Sequence, residues 1–168
     1  GPQAGILLGK AALIKRIAKH PLMRALRSDK MTLAALEATL RHYQRGEATT
    51  HIPIWRMIST PENQLAQRAG QWVELLRAQG ITAQTRSGVS TIGGGSLPGE
   101  TLPTTLLALS ATDLKQPLEE LARRLRLRPQ PVVTRIQHDA LLLDPRTVLE
   151  EQGEEVVRAL VEELDFIQ

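Results

Sequence analysis

The stretch TRSGVSTIGGGSLPGETLPTTLLALSAT, residues 85–112, carries three consecutive glycines, a Ser-Leu-Pro-Gly turn and a second Leu-Pro pair. Such a segment either cradles a phosphate, caps a sheet or links two domains. Its core, Gly94-Gly95-Ser96-Leu97-Pro98-Gly99-Glu100-Thr101, imitates a phosphate-binding loop, with two glycines five apart and a Thr at the end. That loop requires a Lys after its second glycine to reach the phosphates, and then a helix. Glu100 holds the place of the Lys, and Pro103 interrupts the residues after it. A carboxylate there repels a triphosphate, so nucleotide binding is excluded. The stretch reads instead as a sharp sheet-capping loop in which Gly permits positive φ.

Outward from the loop, Ile81–Thr85 alternates like a half-buried strand and Leu106–Ser110 is a second, apolar strand. Upstream, Thr60-Pro61-Glu62 starts a helix that turns Leu65, Ala69, Trp72, Val73 and Leu76 inward and ends at Gly80. Downstream, Pro117–Arg126 is helical through Leu118, Leu121 and Leu125. Val132–Ile136 and Ala140–Leu143 read as strands joined by a short hairpin at His138-Asp139. The last helix, Glu154–Leu164, presents Val156, Val157, Leu160, Val161 and Leu164 inward.

Near the N-terminus, Ala4–Leu8 reads as a short buried strand. Ala11–His20 reads as a helix with Leu13, Ile14 and Ile17 on one side, stopped by Pro21. Thr32–Arg45 is a stronger helix with Leu33, Leu36, Leu40 and Tyr43 on one face, Asp29 or Thr32 as its N-cap and Gly46 as its stop. The predicted fold class is α+β, a small, mostly antiparallel sheet with covering helices. The predicted division is 1–46, containing a long connecting helix, and 47–168, a small α+β domain.

At 168 residues, the chain can bury roughly 70% of its unfolded surface. Apolar residues make up 42% and charged residues 23%, but aromatics only 2%, so the core must be aliphatic. The absence of cysteine excludes disulfides, thiolate metal sites and a Cys nucleophile, and suits a reducing cytoplasm. No apolar run approaches the roughly 18 residues of a membrane span. The opening GPQAGILLGK has no Met and no polar lead-in, as expected of a chain cut from a longer one. Net charge is +3 and the pI about 9.7, a weak preference for anionic ligands. The scarcity of aromatics argues against base stacking on single-stranded nucleic acid.

The most concentrated basic segment is HPLMRALRSDK, residues 20–30. Arg24 and Arg27 are three apart and would share a helical face. Either they converge on one phosphate or carboxylate through planar, bidentate donors, or they form a solvated face paired to Asp29. Arg123, Arg124, Arg126 and Arg128 end a helix, where positive charge complements the dipole; RNA contact is the alternative. Arg135 sits mid-strand between apolar residues and needs either a structural ion pair or a substrate carboxylate. The four histidines, 20, 42, 51 and 138, show no metal-ligand spacing, and no metal is expected. Glu154/Glu155 and Glu162/Glu163 read as solvated helix faces, and no complete active site is present.

Three segments together resemble one family, the bacterial selenocysteine synthases, or L-seryl-tRNA(Sec) selenium transferases. They are GPQAG at 1–5, HPLMRALRSDKMTLAALEATLRHY at 20–43 and SGVSTIGGGSLPGETLP at 87–103; VVTRIQHDALLLD at 132–144 also fits. The resemblance implies the C-terminal portion of a fold-type I pyridoxal-phosphate enzyme, with residues 1–46 closing its large domain. It places the Schiff-base lysine in a Ser-Gly-Asp-Lys stretch before residue 1, where none of lysines 10, 15, 19, 30 and 115 lies. No catalytic residue is therefore expected in this chain, and alone it should be inactive. The family dehydrates seryl-tRNA(Sec) to an aminoacrylyl intermediate on pyridoxal 5'-phosphate and adds selenium from selenophosphate. By resemblance, Arg24 and Arg27 bind the phosphate-like selenium donor, whereas Gln3 and Lys30 are weaker candidates for pocket lining. It further implies a cytoplasmic homo-oligomer, and a tRNA-binding region of the family outside this chain. The alternatives are a related lyase acting on a small amino acid or amino sugar, and a free-standing anion- or RNA-binding module.

Overall fold

The computed structural model describes residues 1–93 and 99–165. Residues 94–98, the centre of the glycine stretch, lie outside them. The chain forms two compact units, Gly1–Arg56 and Met57–Gln168.

The first unit is helical: α1 (Ala11–Ala18), α2 (Leu22–Ala25), α3 (Lys30–Gln44), α4 (Ala48–His51) and the start of α5 (Pro53–Ser59). Asp29 is the N-cap of α3 and accepts from the Met31 and Thr32 amides at 2.8 and 2.9 Å. Gly46, at φ +72°, ends that helix in a left-handed turn, and the Glu47 amide reaches back to the His42 carbonyl at 2.9 Å. The Trp55 indole N–H donates to the Tyr43 hydroxyl at 2.5 Å, tying α5 to α3.

One expectation fails here. Ala4–Leu8 is not a strand: residues 1–10 are irregular, and Ile6, Leu7 and Leu8 are exposed. A strand needs a neighbour to take its backbone hydrogen bonds, and the only sheet among the described residues belongs to the second unit. The helices predicted from α1 and α3 periodicity form, yet Leu13, Ile17, Leu33, Leu40 and Tyr43 stay exposed. Amphipathic spacing identifies the helix but not what covers its apolar face.

The second unit is the α+β domain. A four-stranded antiparallel sheet in the order β1-β2-β4-β3 is built from β1 (Gln84–Thr91), β2 (Thr101–Ser110), β3 (Arg135–Gln137) and β4 (Ala140–Leu143). The covering helices are α6 (Glu62–Ala78), α7 (Leu118–Arg126) and α8 (Gly153–Asp165). Alternate residues of β2 and β4 face the helices, so Leu107, Leu109, Leu141 and Leu143 join Trp72, Leu76, Leu121, Leu125 and Leu160 in the main core. The intervening residues, Leu106, Ala108, Ala140 and Leu142, form a smaller buried cluster on the other face.

The inward face predicted for α6 is the buried one: Leu65, Ala69, Trp72, Val73 and Leu76. The hairpin at His138-Asp139 has both residues at positive φ, 51° and 53°, the conformation a two-residue hairpin turn demands. Strand limits move more. β1 starts at Gln84, not Ile81, because Gln84–Thr91 pairs residue for residue with Thr101–Ala108. Pro103 is tolerated because β4 joins β2 only from Leu107 onward, so its missing N–H leaves no ladder bond unmade on that edge. β3 begins at Arg135, not Val132, because the Val132 amide donates to the Leu125 carbonyl on α7 at 2.9 Å.

Candidate functional site

Of the predicted anion-site residues, Arg24 lies on α2 and Arg27 in the irregular segment after it. The four-residue α2 ends at Ala25, so the two arginines do not share a helical face, contrary to their spacing. Pro21 and the early start of α3 leave no room for a longer helix: His20 Nδ1 accepts from the Leu22 amide at 3.2 Å, and Asp29 caps the next helix. Lys30 opens α3, and Gln3 belongs to the irregular first ten residues. All four side chains are exposed.

The electrostatics of this segment turn on Asp29. Residues 10–30 contain seven Lys or Arg and a single carboxylate, Asp29. That carboxylate accepts from the Thr32 hydroxyl at 2.6 Å as well as from the two α3 amides. The Thr32 hydroxyl, above all, holds the Asp29 carboxyl below its ordinary value. With Asp29 turned into the cap, neither Arg24 nor Arg27 has an ion pair among the described residues.

Arginines of the second unit behave differently. Arg123 pairs with Glu120, whose carboxyl it holds below the usual range. Arg124 pairs with Glu163 at 2.8 Å, and Arg128 with both Glu162 and Glu163. The Glu162 hydrogen bond chiefly raises the affinity of Arg128 for its proton. These pairs tie α7 and its exit to α8, so Glu162 and Glu163 are bridge partners and not merely a solvated face.

Arg135 makes no ion pair to a carboxylate among the described residues. Its Nη2 donates to the Val89 carbonyl at 3.4 Å and stands 3.9 Å from where a Cβ on Gly88 would lie. The side chain thus straps the smaller apolar cluster from β3 across to β1, leaving its stem over aliphatic surface.

Sequence reasoning missed Arg146, the buried arginine of the chain. Its Nε donates to Ser90 Oγ at 3.2 Å, Nη1 to the Met57 and Thr60 carbonyls at 2.9 Å each, and Nη2 to the Pro103 carbonyl at 2.7 Å. Ser90 and Thr104 in turn donate to Asp144 at 2.6 and 2.8 Å, and the Arg146 amide donates to Asp144 at 3.0 Å. Four segments meet at this guanidinium. Nothing in the local pattern Asp144-Pro145-Arg146-Thr147 signals it, because its acceptors are mostly backbone oxygens far away in sequence.

His138 is a hairpin residue, whereas His42 and His51 stack with ring centroids 4.7 Å apart beside Glu47. The spacing of the histidines along the chain gives no sign of this pairing, which the turn at Gly46 brings about. The five lysines are all exposed, and none occupies the desolvated setting that activates a Schiff-base amine. The glycine stretch leads from β1 into β2, a strand rather than a helix, which is not the arrangement of a phosphate-binding loop.

The chain is thus an α+β domain joined in sequence to a helical unit that carries an exposed, carboxylate-poor basic segment. The chain matches the L-seryl-tRNA selenium transferase family over residues 1–149 and belongs to that family. Among relatives named L-seryl-tRNA(Sec) selenium transferase, that of Geobacter sulfurreducens is 42% identical over 167 residues, covering 96% of this chain and 36% of the relative. That of Solidesulfovibrio magneticus is 45% identical over 166 residues, covering 96% and 35%, and that of Aquifex aeolicus 43% over 169, covering 99% and 36%. The chain thus spans about a third of the length of these relatives.

Proposed function

We propose that this chain serves an L-seryl-tRNA(Sec) selenium transferase, which converts seryl-tRNA(Sec) to selenocysteinyl-tRNA(Sec) with selenophosphate as donor. Within it, Arg24 and Arg27 hold the anionic donor, with Lys30 and Gln3 as weaker contributors. The observation carrying this reading is the diversion of Asp29 into the α3 cap, which leaves both guanidiniums without a carboxylate among the described residues. An anionic donor must be held while its selenium is delivered, and guanidinium forks supply charge and orientation together.

Residues 1–46 are read as the end of a large fold-type I domain and 47–168 as its small domain. In the whole enzyme, bound pyridoxal phosphate would supply an electron sink for loss of the seryl hydroxyl. The exposed lysines here do not fit a Schiff-base role, so no step through the cofactor is assigned to this chain, and alone it is expected to be inactive. The exposed apolar side chains of Leu8, Leu26 and Met31 support a homo-oligomeric assembly, and a cytoplasmic setting suits the tRNA substrate. No helix among the described residues is long and apolar enough to cross a membrane.

The test is Arg24→Ala and Arg27→Ala in the intact enzyme. Each should raise the donor KM about tenfold or more while serine dehydration is little changed. Equal loss of both half-reactions would make the arginines structural. An intact wild-type enzyme that forms no selenocysteinyl-tRNA would point to a lyase.

A further inference from the structure

His42, Glu47 and His51 converge because of the left-handed turn at Gly46. His42 lies in the last turn of α3, and the reversal returns Glu47 beside it. Glu47 precedes α4, and the four-residue step to His51 places that ring on the same side. His42 Nδ1 stands 3.2 Å from Glu47 Oε2, and His51 Nε2 stands 4.0 Å from the same oxygen. The three donor atoms all lie within 4.8 Å of one another.

A hydrogen bond to Glu47 accounts for His42 alone. His51 is too far from the carboxylate for one, yet its ring stacks on His42 with planes 16° apart and keeps Nε2 4.0 Å from the same oxygen. We propose that His42, Glu47 and His51 form a binding site for a divalent transition-metal ion, Zn²⁺ in the first instance. Two imidazoles and one carboxylate suit zinc, whereas calcium and magnesium require oxygen donors. Three protein ligands leave a fourth position for water or an anionic oxygen.

With zinc–donor bonds of about 2.0–2.2 Å, ligand atoms around one ion stand roughly 3.3 Å apart. The widest observed separation must therefore close by on the order of 1.5 Å. The side chains are 35%, 38% and 55% exposed for His42, Glu47 and His51, so they have room to rotate and the ion has access. Imidazole lone pairs lie in the ring plane, so two stacked rings cannot share an ion as they stand. Binding must splay them, and the stack should be lost.

The experiment titrates the full 168-residue chain, free of any tag, with Zn²⁺ by calorimetry. One equivalent should bind with a Kd in the micromolar range or tighter, and His42→Ala or His51→Ala should each weaken it by about tenfold or more. Imidazole NMR of the wild type reads the same event without a variant, through shifts at His42 and His51 as the stack opens. Binding no tighter than about 1 mM, undiminished affinity in the double variant, or zinc-induced shifts confined to His20 and His138 would overturn the proposal.

Discussion

Among the described residues Arg146 carries no carboxylate on its guanidinium, yet it donates to Ser90, Met57, Thr60 and Pro103. Its donors are spent on the exit of α5, the turn before α6, and both strands of the long hairpin. Removing it takes a donor from the Met57, Thr60 and Pro103 carbonyls at a part-buried site. Arg146→Ala should destabilise the chain by about 2–4 kcal/mol, because several polar groups lose a donor at once and a buried one left unsatisfied costs roughly 1–3 kcal/mol. Arg146→Lys should recover only part, since a single ammonium cannot span acceptors in several directions. Urea denaturation of both variants checks this, and a loss below about 1 kcal/mol in Arg146→Ala would contradict it. By contrast, Asp29 and the two arginines near it illustrate charge separation by local bonding: a carboxylate close in sequence is consumed by three donors on the next helix.

At the scale of elements, legibility tracks the source of the signal. α6 is readable to the residue, because a seventeen-residue amphipathic helix repeats its apolar face over several turns. The His138-Asp139 turn is equally legible, being fixed by local backbone chemistry. Strand limits are not, because pairing decides them: Thr101–Thr105 looks polar and contains a proline, yet β1 draws it into the ladder. The spacing of the anion-site arginines presumes a helix that stops too soon, and the Arg146 network is invisible because its partners are distant carbonyls. Gly88 adds a close fit within the hairpin. A Cβ there would meet Leu106 Cδ1 at 2.5 Å, and β1 is too well paired to move aside. Gly88→Ala should therefore cost about 1–3 kcal/mol through overpacking, read as a lowered urea midpoint with an unchanged slope. A neutral result would mean that Leu106 has a free alternative rotamer.

Across the whole molecule, burial is unevenly shared between the two units. The second contains both apolar clusters, whereas the first has only Ile52 buried among its described residues. Local opening energies scale with buried contacts, so hydrogen exchange in the chain by itself should be fast through α1 and α2 and slowest in α6, β2 and β4. Comparable protection throughout would show that the first unit is covered in solution. Family membership and the α+β domain can be read from sequence, the former through motifs and the latter through the order of strands and helices. The uncovered helices cannot, since periodicity records that an apolar face exists and says nothing of its neighbour.

The Arg146 site also sets which positions are free to drift. Because the guanidinium, its bond to Ser90 Oγ aside, grips main-chain oxygens, the side chains at Met57, Ile58 and Thr60 are irrelevant to its hold, and any residue with the same backbone path serves equally well there. An arginine so used is itself hard to replace while its neighbours vary. Aligned relatives should thus show a fixed arginine facing changeable partners, a pattern that covariation between side chains cannot detect.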